Sequence, residues 1–132
     1  MKKWTKKQLE AEGYEIWNAE IKSVSLSMED HACLVSYLSL DGHGPCCCYG
    51  GYVLGKGYVG AKNFEGYASG IEAIMRIMDT VGCSKYEDMK GKYVRVATKG
   101  WGSTVKIIGN ILEDKWFDYG SFFDDKEKEE AG

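Results

Sequence analysis

Proline and histidine are scarce in this chain of 132 residues: Pro45 is the single proline, and His31 and His43 are the only histidines. Arginine is nearly absent too, represented by Arg76 and Arg95 alone, and the formal net charge is −3. That balance excludes a protein that lives on duplex phosphate contacts, which require clustered Lys and Arg to release counterions. No apolar run approaches the length of a membrane span, so no membrane association is expected. "MKKWTKKQLEAEG" has basic residues but no apolar stretch behind them, so no secretory leader is expected either, and a cytoplasmic protein is. Five cysteines, an odd number with three adjacent, do not form a disulfide framework in that reducing setting.

What is abundant is hydrophobic side chains, at 44% against 28% charged, the balance of a folded globular domain. Seventeen glycines point to tight turns, bulges and close backbone approach. Thr5-Lys-Lys-Gln8 fits a capping box and predicts a short helix stopped by Gly13, with Trp4 pinning it to the body. "AEIKSVSLSM" alternates, slips by one residue at Ser23 and alternates again, which predicts a strand with a bulge. "ACLVSYLSL" is a second strand, and Asp41-Gly42 a turn into a third, "CCCYGGYVL". Residues 55–68 have the composition of an irregular glycine-aromatic loop.

Ser69-Gly-Ile-Glu72 offers another capping box, at the start of the main helix. Ile71, Ile74, Met75 and Met78 fall at i, i+3, i+4 and i+7 as one apolar stripe, and Gly82 ends the helix. After a short turn from Ser84, "KYVRVAT" and "TVKIIGNIL" form a hairpin around "KGWGS", and Trp116, Phe117, Phe122 and Phe123 anchor the end of the chain. The order predicts an α+β protein. About five antiparallel strands make a strongly twisted sheet or small, partly open barrel, with one main helix packed on it and short flanking helices. Residues 1–13 form the N-terminal short helix, 14–123 the single domain and 124–132 a disordered acidic tail.

His31, Cys33, His43 and Cys46 are metal-ligand types at chelating spacings, and a zinc site on them is one reading. Adjacent residues of a strand face opposite ways, so Cys46, Cys47 and Cys48 cannot all converge on one ion. No cofactor and no catalytic set is expected. The favoured functional feature is a recognition surface: Tyr49, Tyr52, Tyr58, Phe64 and Tyr67 among glycines, with Lys56 and Lys62 beside them. Tyrosine offers rigid contact area with a hydrogen-bonding tip, and glycine admits a partner closely. Arg76 and Arg95 are the other cations available to an anionic ligand, and Trp101 is a second contact at a hairpin tip. Bases would stack on such rings, so a single-stranded nucleic-acid binder is an alternative. Exposed sheet edges allow a homodimer.

The phrases "MRIMDTVGCSKYEDMKGKYVRV" and "IGNILEDKWFD" resemble small uncharacterised proteins encoded in phages and prophages of gut Firmicutes, over residues 20–123. The resemblance implies a non-enzymatic accessory protein in the cytoplasm of a bacterial cell. Such a protein acts by binding an immune protein, such as a CRISPR nuclease, by sequestering a nucleotide signal of bacterial immunity, or by serving phage replication.

Overall fold

The computed structural model describes residues 1–42, 47–99 and 105–131. It opens with helix α1, Lys6–Ala11, which begins at the expected capping box: Gln8 N donates to Thr5 Oγ1 (3.2 Å) and Thr5 N to Gln8 Oε1 (3.1 Å). Three strands follow: β1 (Glu15–Asp30), β2 (Cys33–Gly42) and β3 (Cys47–Lys56). A two-residue strand β4 (Glu65–Gly66) leads into helix α2 (Ala68–Val81) and a single 3₁₀ turn, Tyr86–Met89. Strands β5 (Tyr93–Thr98), β6 (Ile107–Asn110) and β7 (Trp116–Asp118) and helix α3 (Tyr119–Ala131) complete the chain.

The strands form one antiparallel sheet in the order β4-β3-β2-β1-β5-β6-β7. Its register shifts between Ile21 and Ser23, where the alternating pattern slips. The five longer strands match the expectation, and the sheet has seven because β4 and β7 are added at its edges. The sheet curls strongly into a half-barrel. Tyr49 of β3 bridges to Val105, just before β6, and its hydroxyl donates to Phe117 O on β7 at 3.4 Å. These contacts bring together strands that lie far apart in the sheet order.

Two cores result. The larger joins Ile21, Leu38, Leu40, Tyr49, Val94, Val96, Ile108 and Phe117 of the sheet to Ala73 and Ile77 of α2 and Phe122 of α3. The smaller joins Trp4 and Leu9 to Ala97 and Ile107, neighbours in sequence of Val96 and Ile108 and therefore on the opposite face. A helix of six residues has little stability of its own. Leu9, fully buried, contributes about 1.5–3 kcal/mol to docking α1. The Trp4 indole donates to Asp118 Oδ2 (3.1 Å), which pins the segment as the sequence suggests.

Two expectations are corrected here. The Ser69–Glu72 capping box is not used, because α2 starts at Ala68 with Tyr67 at its cap and no side-chain cap bond. Glu72 instead pairs with Arg76 (2.8 Å) and Lys126 (3.3 Å). The acidic segment from Asp124, expected as a disordered tail, continues α3 to Ala131. Phe122 is buried at the start of α3, and the Lys126 pairing ties a later turn to α2.

The apolar stripe of α2 is also turned. The buried residues are Gly70, Ala73, Ile77 and Thr80, while Ile71 and Met75 are 55% and 64% exposed. The reason is proximity: a Cβ on Gly70 would lie 2.7 Å from Leu54 Cα, so only small side chains fit between helix and sheet there. Among the described residues, no helix is long and apolar enough to cross a membrane.

Candidate partner-binding site

The β1–β2 connection is as tight as a hairpin allows. Asp30 pairs with Cys33, and the two residues between them, His31 and Ala32, both take left-handed backbone angles, φ 53° and 57°. Hairpin turns of this hand match the twist of the strands but normally use Asn-Gly or similar pairs. Gly57, at the end of β3, donates its N–H to Ala32 O (2.8 Å) and so fixes the turn against the neighbouring loop. That loop leaves β3, turns at Tyr58 with Ala61 N donating to Tyr58 O (3.0 Å), and returns as β4. On the return, Glu65 pairs with Lys56 and Gly66 with Gly55. Phe64 packs close against Gly57, where a Cβ would come within 2.6 Å of ring atom Cδ1.

Turn and loop together bound a cleft of about 400 Å³, lined by His31, Cys33, Lys56, Tyr58, Asn63, Phe64 and Glu65. Tyr58 is 55% exposed, Phe64 64% and Val59, between them, 88%. Three large apolar side chains thus stand exposed on one short loop. Lys62 is exposed on the same loop. Lys56 and Glu65 stand directly opposite each other across the β3–β4 pair, so the cleft carries one charge of each sign.

The expected surface is thus divided. Lys56, Tyr58 and Phe64 come together, and they are joined by His31 and Cys33, which the sequence suggests for a metal. Tyr49 is corrected outright: it is fully buried and belongs to the core, its ring 5.1 Å edge-on to Tyr119. Burial first, then the neighbouring Tyr52 and Tyr119, pushes its phenol pKa well above the usual value. Tyr52 is half-buried against α3, with ring centroids 5.4 Å from Tyr119 and 5.1 Å from Phe123. Its hydroxyl is enclosed without a hydrogen bond, and burial raises its pKa. The Ser36 hydroxyl, which pulls that value the other way, is engaged with the Tyr86 hydroxyl at 2.8 Å. Tyr67 is half-buried at the start of α2.

The arginines lie elsewhere and have structural partners. Arg76 binds Glu72 and lies 5.7 Å from the Phe122 ring. Arg95 donates to Asn110 O (2.8 Å) and Glu113 O (2.6 Å) and stacks on Trp116 at 4.7 Å, which fixes the β6–β7 connection. Trp101, His43 and Cys46 lie outside the described residues. Among the described residues, no group of three or more His, Cys, Asp or Glu side chains is placed to hold a metal ion. Cys33, Cys48 and Cys83 are free thiols.

Sequence reasoning passes over Val59, Asn63 and Glu65. The signal for Val59 is its place between Gly57 and Gly60, where an apolar residue has no strand or helix to bury it. A larger groove, about 1110 Å³, runs between the end of α2 and the β6–β7 connection and contains none of the expected site residues. No protein-family model, no curated protein and no solved structure matches this chain.

Proposed function

We propose that this chain is a non-enzymatic binding protein whose working surface is the Tyr58–Phe64 loop and whose partner is another protein. The observation that carries the proposal is the outward display of Tyr58, Val59 and Phe64 around a small cleft. Exposed aromatic side chains beside a concavity suit the buried centre of a protein interface. Charge supports a protein partner over a nucleotide. Capture of a phosphate-bearing ligand calls for several cations at one place, and of the four considered only Lys56 lines the cleft, opposite a carboxylate. The acidic net charge counts equally against single-stranded nucleic acid. The resemblance to phage and prophage proteins supplies the partner class, a bacterial immune protein such as a CRISPR nuclease. The chain then acts as an anti-defence accessory factor.

Photo-crosslinking in defended bacterial cells tests this. With p-benzoylphenylalanine in place of Val59, the full chain should cross-link to one immune protein, and the same group at Leu112, exposed elsewhere, should not. Phe64→Ala should abolish the cross-link and remove protection of an infecting phage. Equal cross-linking from both positions, or protection unaffected by Phe64→Ala, would refute the proposal.

A further inference from the structure

We infer that the cleft between the His31–Ala32 turn and the Tyr58–Phe64 loop receives one uncharged, large apolar or aromatic side chain of the protein partner. The inference rests on the protein-binding reading and specifies what that partner must present.

Three features define the occupant. The first is charge. The two strand residues at the cleft, Lys56 and Glu65, face each other across the β3–β4 pair. A carboxylate in the cleft gains the ammonium but meets Glu65, and a cation meets Lys56. Neither sign is favoured on balance, whereas a neutral group is repelled by neither side chain.

The second is the wall chemistry. Tyr58 and Phe64 present ring surface that, at 55% and 64% exposure, has no partner covering it. Rings and branched alkyl groups pack edge-on or offset against such faces. The volume of about 400 Å³ lies in the small-ligand range and holds one bulky side chain with its flanking backbone. Asn63, also in the lining, offers both a donor and an acceptor to that backbone.

The third is rigidity. The bond from Gly57 N to Ala32 O (2.8 Å) ties the two sides of the cleft together, the two-residue turn has no slack, and Phe64 rests on Gly57. A preformed pocket avoids ordering costs when an anchor enters, which is how a few central side chains come to dominate an interface. Val59, next to Tyr58 in the chain and 88% exposed, is then free to meet the partner outside the cleft.

Titration of the isotope-labelled full chain, followed by amide NMR shifts, tests the inference. The probes are N-acetyltryptophanamide, N-acetylleucinamide, N-acetylargininamide, the N-acetyl amide of aspartic acid, and adenosine monophosphate. The tryptophan and leucine probes should produce saturable shifts at Gly57, Tyr58 and residues 63–66, with dissociation constants on the order of millimolar. Phe64→Ala and Tyr58→Ala should each weaken the tryptophan probe about tenfold without disturbing amide shifts in the cores. The charged amides and the nucleotide should bind at least about tenfold more weakly than the tryptophan probe.

Absence of saturable shifts at those amides, or preference for a charged probe or for the nucleotide, would overturn the inference. If the probes fail while the Val59 cross-link persists and depends on Phe64, the anchor idea falls and protein binding stands. If the apolar probes bind but no cross-link forms, the protein-binding reading is what fails.

Discussion

Tyr49 and Tyr52 on β3, and Tyr58 and Phe64 in the loop beyond it, come from one run of glycine and aromatic residues but face opposite fates. The first pair is sealed under α3, with Tyr49 fully buried and its hydroxyl on Phe117 O. The second pair stands exposed on one side of a cleft whose other side is the His31–Ala32 turn. Composition is the same in the two regions, so it cannot be the cause. Closure of the half-barrel is: where β3 curls to meet Val105 and β7, its aromatic residues become core. Past Lys56, among the described residues, there is only a two-residue edge strand with nothing beyond it in the sheet.

The largest expected effect tests the closed half of that contrast. Tyr49→Ala should lower unfolding free energy by about 3–5 kcal/mol, as removal of a buried ring generally does. Urea unfolding measures it. A loss below about 1 kcal/mol would mean that the Tyr49–Val105 closure is not part of the stable fold.

Tyr52 sharpens the same comparison, since it is half-buried with its hydroxyl enclosed and left without a partner. Tyr52→Phe removes a hydroxyl that has no hydrogen-bond partner and should stabilise the protein by about 1 kcal/mol. Its effect depends on pH in a fixed direction. Burial raises the phenol pKa above its ordinary value of 10.0, so the folded chain holds the proton where the unfolded chain releases it. The contribution of this group is therefore fully present below about pH 10 and is lost as pH rises beyond it, and the phenylalanine variant should fall less steeply there. Equal slopes for the two proteins across that window would show that the Tyr52 hydroxyl reaches solvent.

Local structure is the part that the sequence discloses. The Thr5–Gln8 capping box, the slip at Ser23 and the stop at Gly82 are short-range effects, each complete within a few residues, and each is found in place. Strands β4 and β7 span two and three residues, too short for any alternation to show. The α2 stripe is ambiguous for another reason. Ile71, Ile74, Met75 and Met78 make an apolar face, but contact at Gly70 is so close that the neighbouring small-residue face is the buried one. Lys56, Tyr58 and Phe64 are readable as candidate site residues from their glycine-rich surroundings. That His31 and Cys33 share their cleft depends on the β2–β3 register, which carries Cys33 beside Lys56.

The open half of the contrast rests on a turn with a backbone penalty. His31 and Ala32 both have positive φ without being glycine, which costs each on the order of 1–2 kcal/mol. Ala32→Gly should recover part of that, about 0.5–1 kcal/mol after the added flexibility of the unfolded chain is allowed for. A rise of a few degrees in Tm is the readout, and a fall would mean that the turn is relaxed as it stands.

The smallest expected effect bears most on function. Tyr58→Ala and Phe64→Ala should each change unfolding free energy by no more than about 0.5 kcal/mol, because neither ring fills a core. Exposed aromatic rings on an edge loop add little to folding, and they create a solubility hazard that a lysine or a glutamate in their place would avoid. Their presence is intelligible if they are covered part of the time by something else. A stability loss from either variant approaching that of Tyr49→Ala would remove this asymmetry, since the rings would then be held by the fold itself. Unchanged stability with loss of the cross-link at Val59 would instead separate the aromatic residues that make the barrel from those that use it.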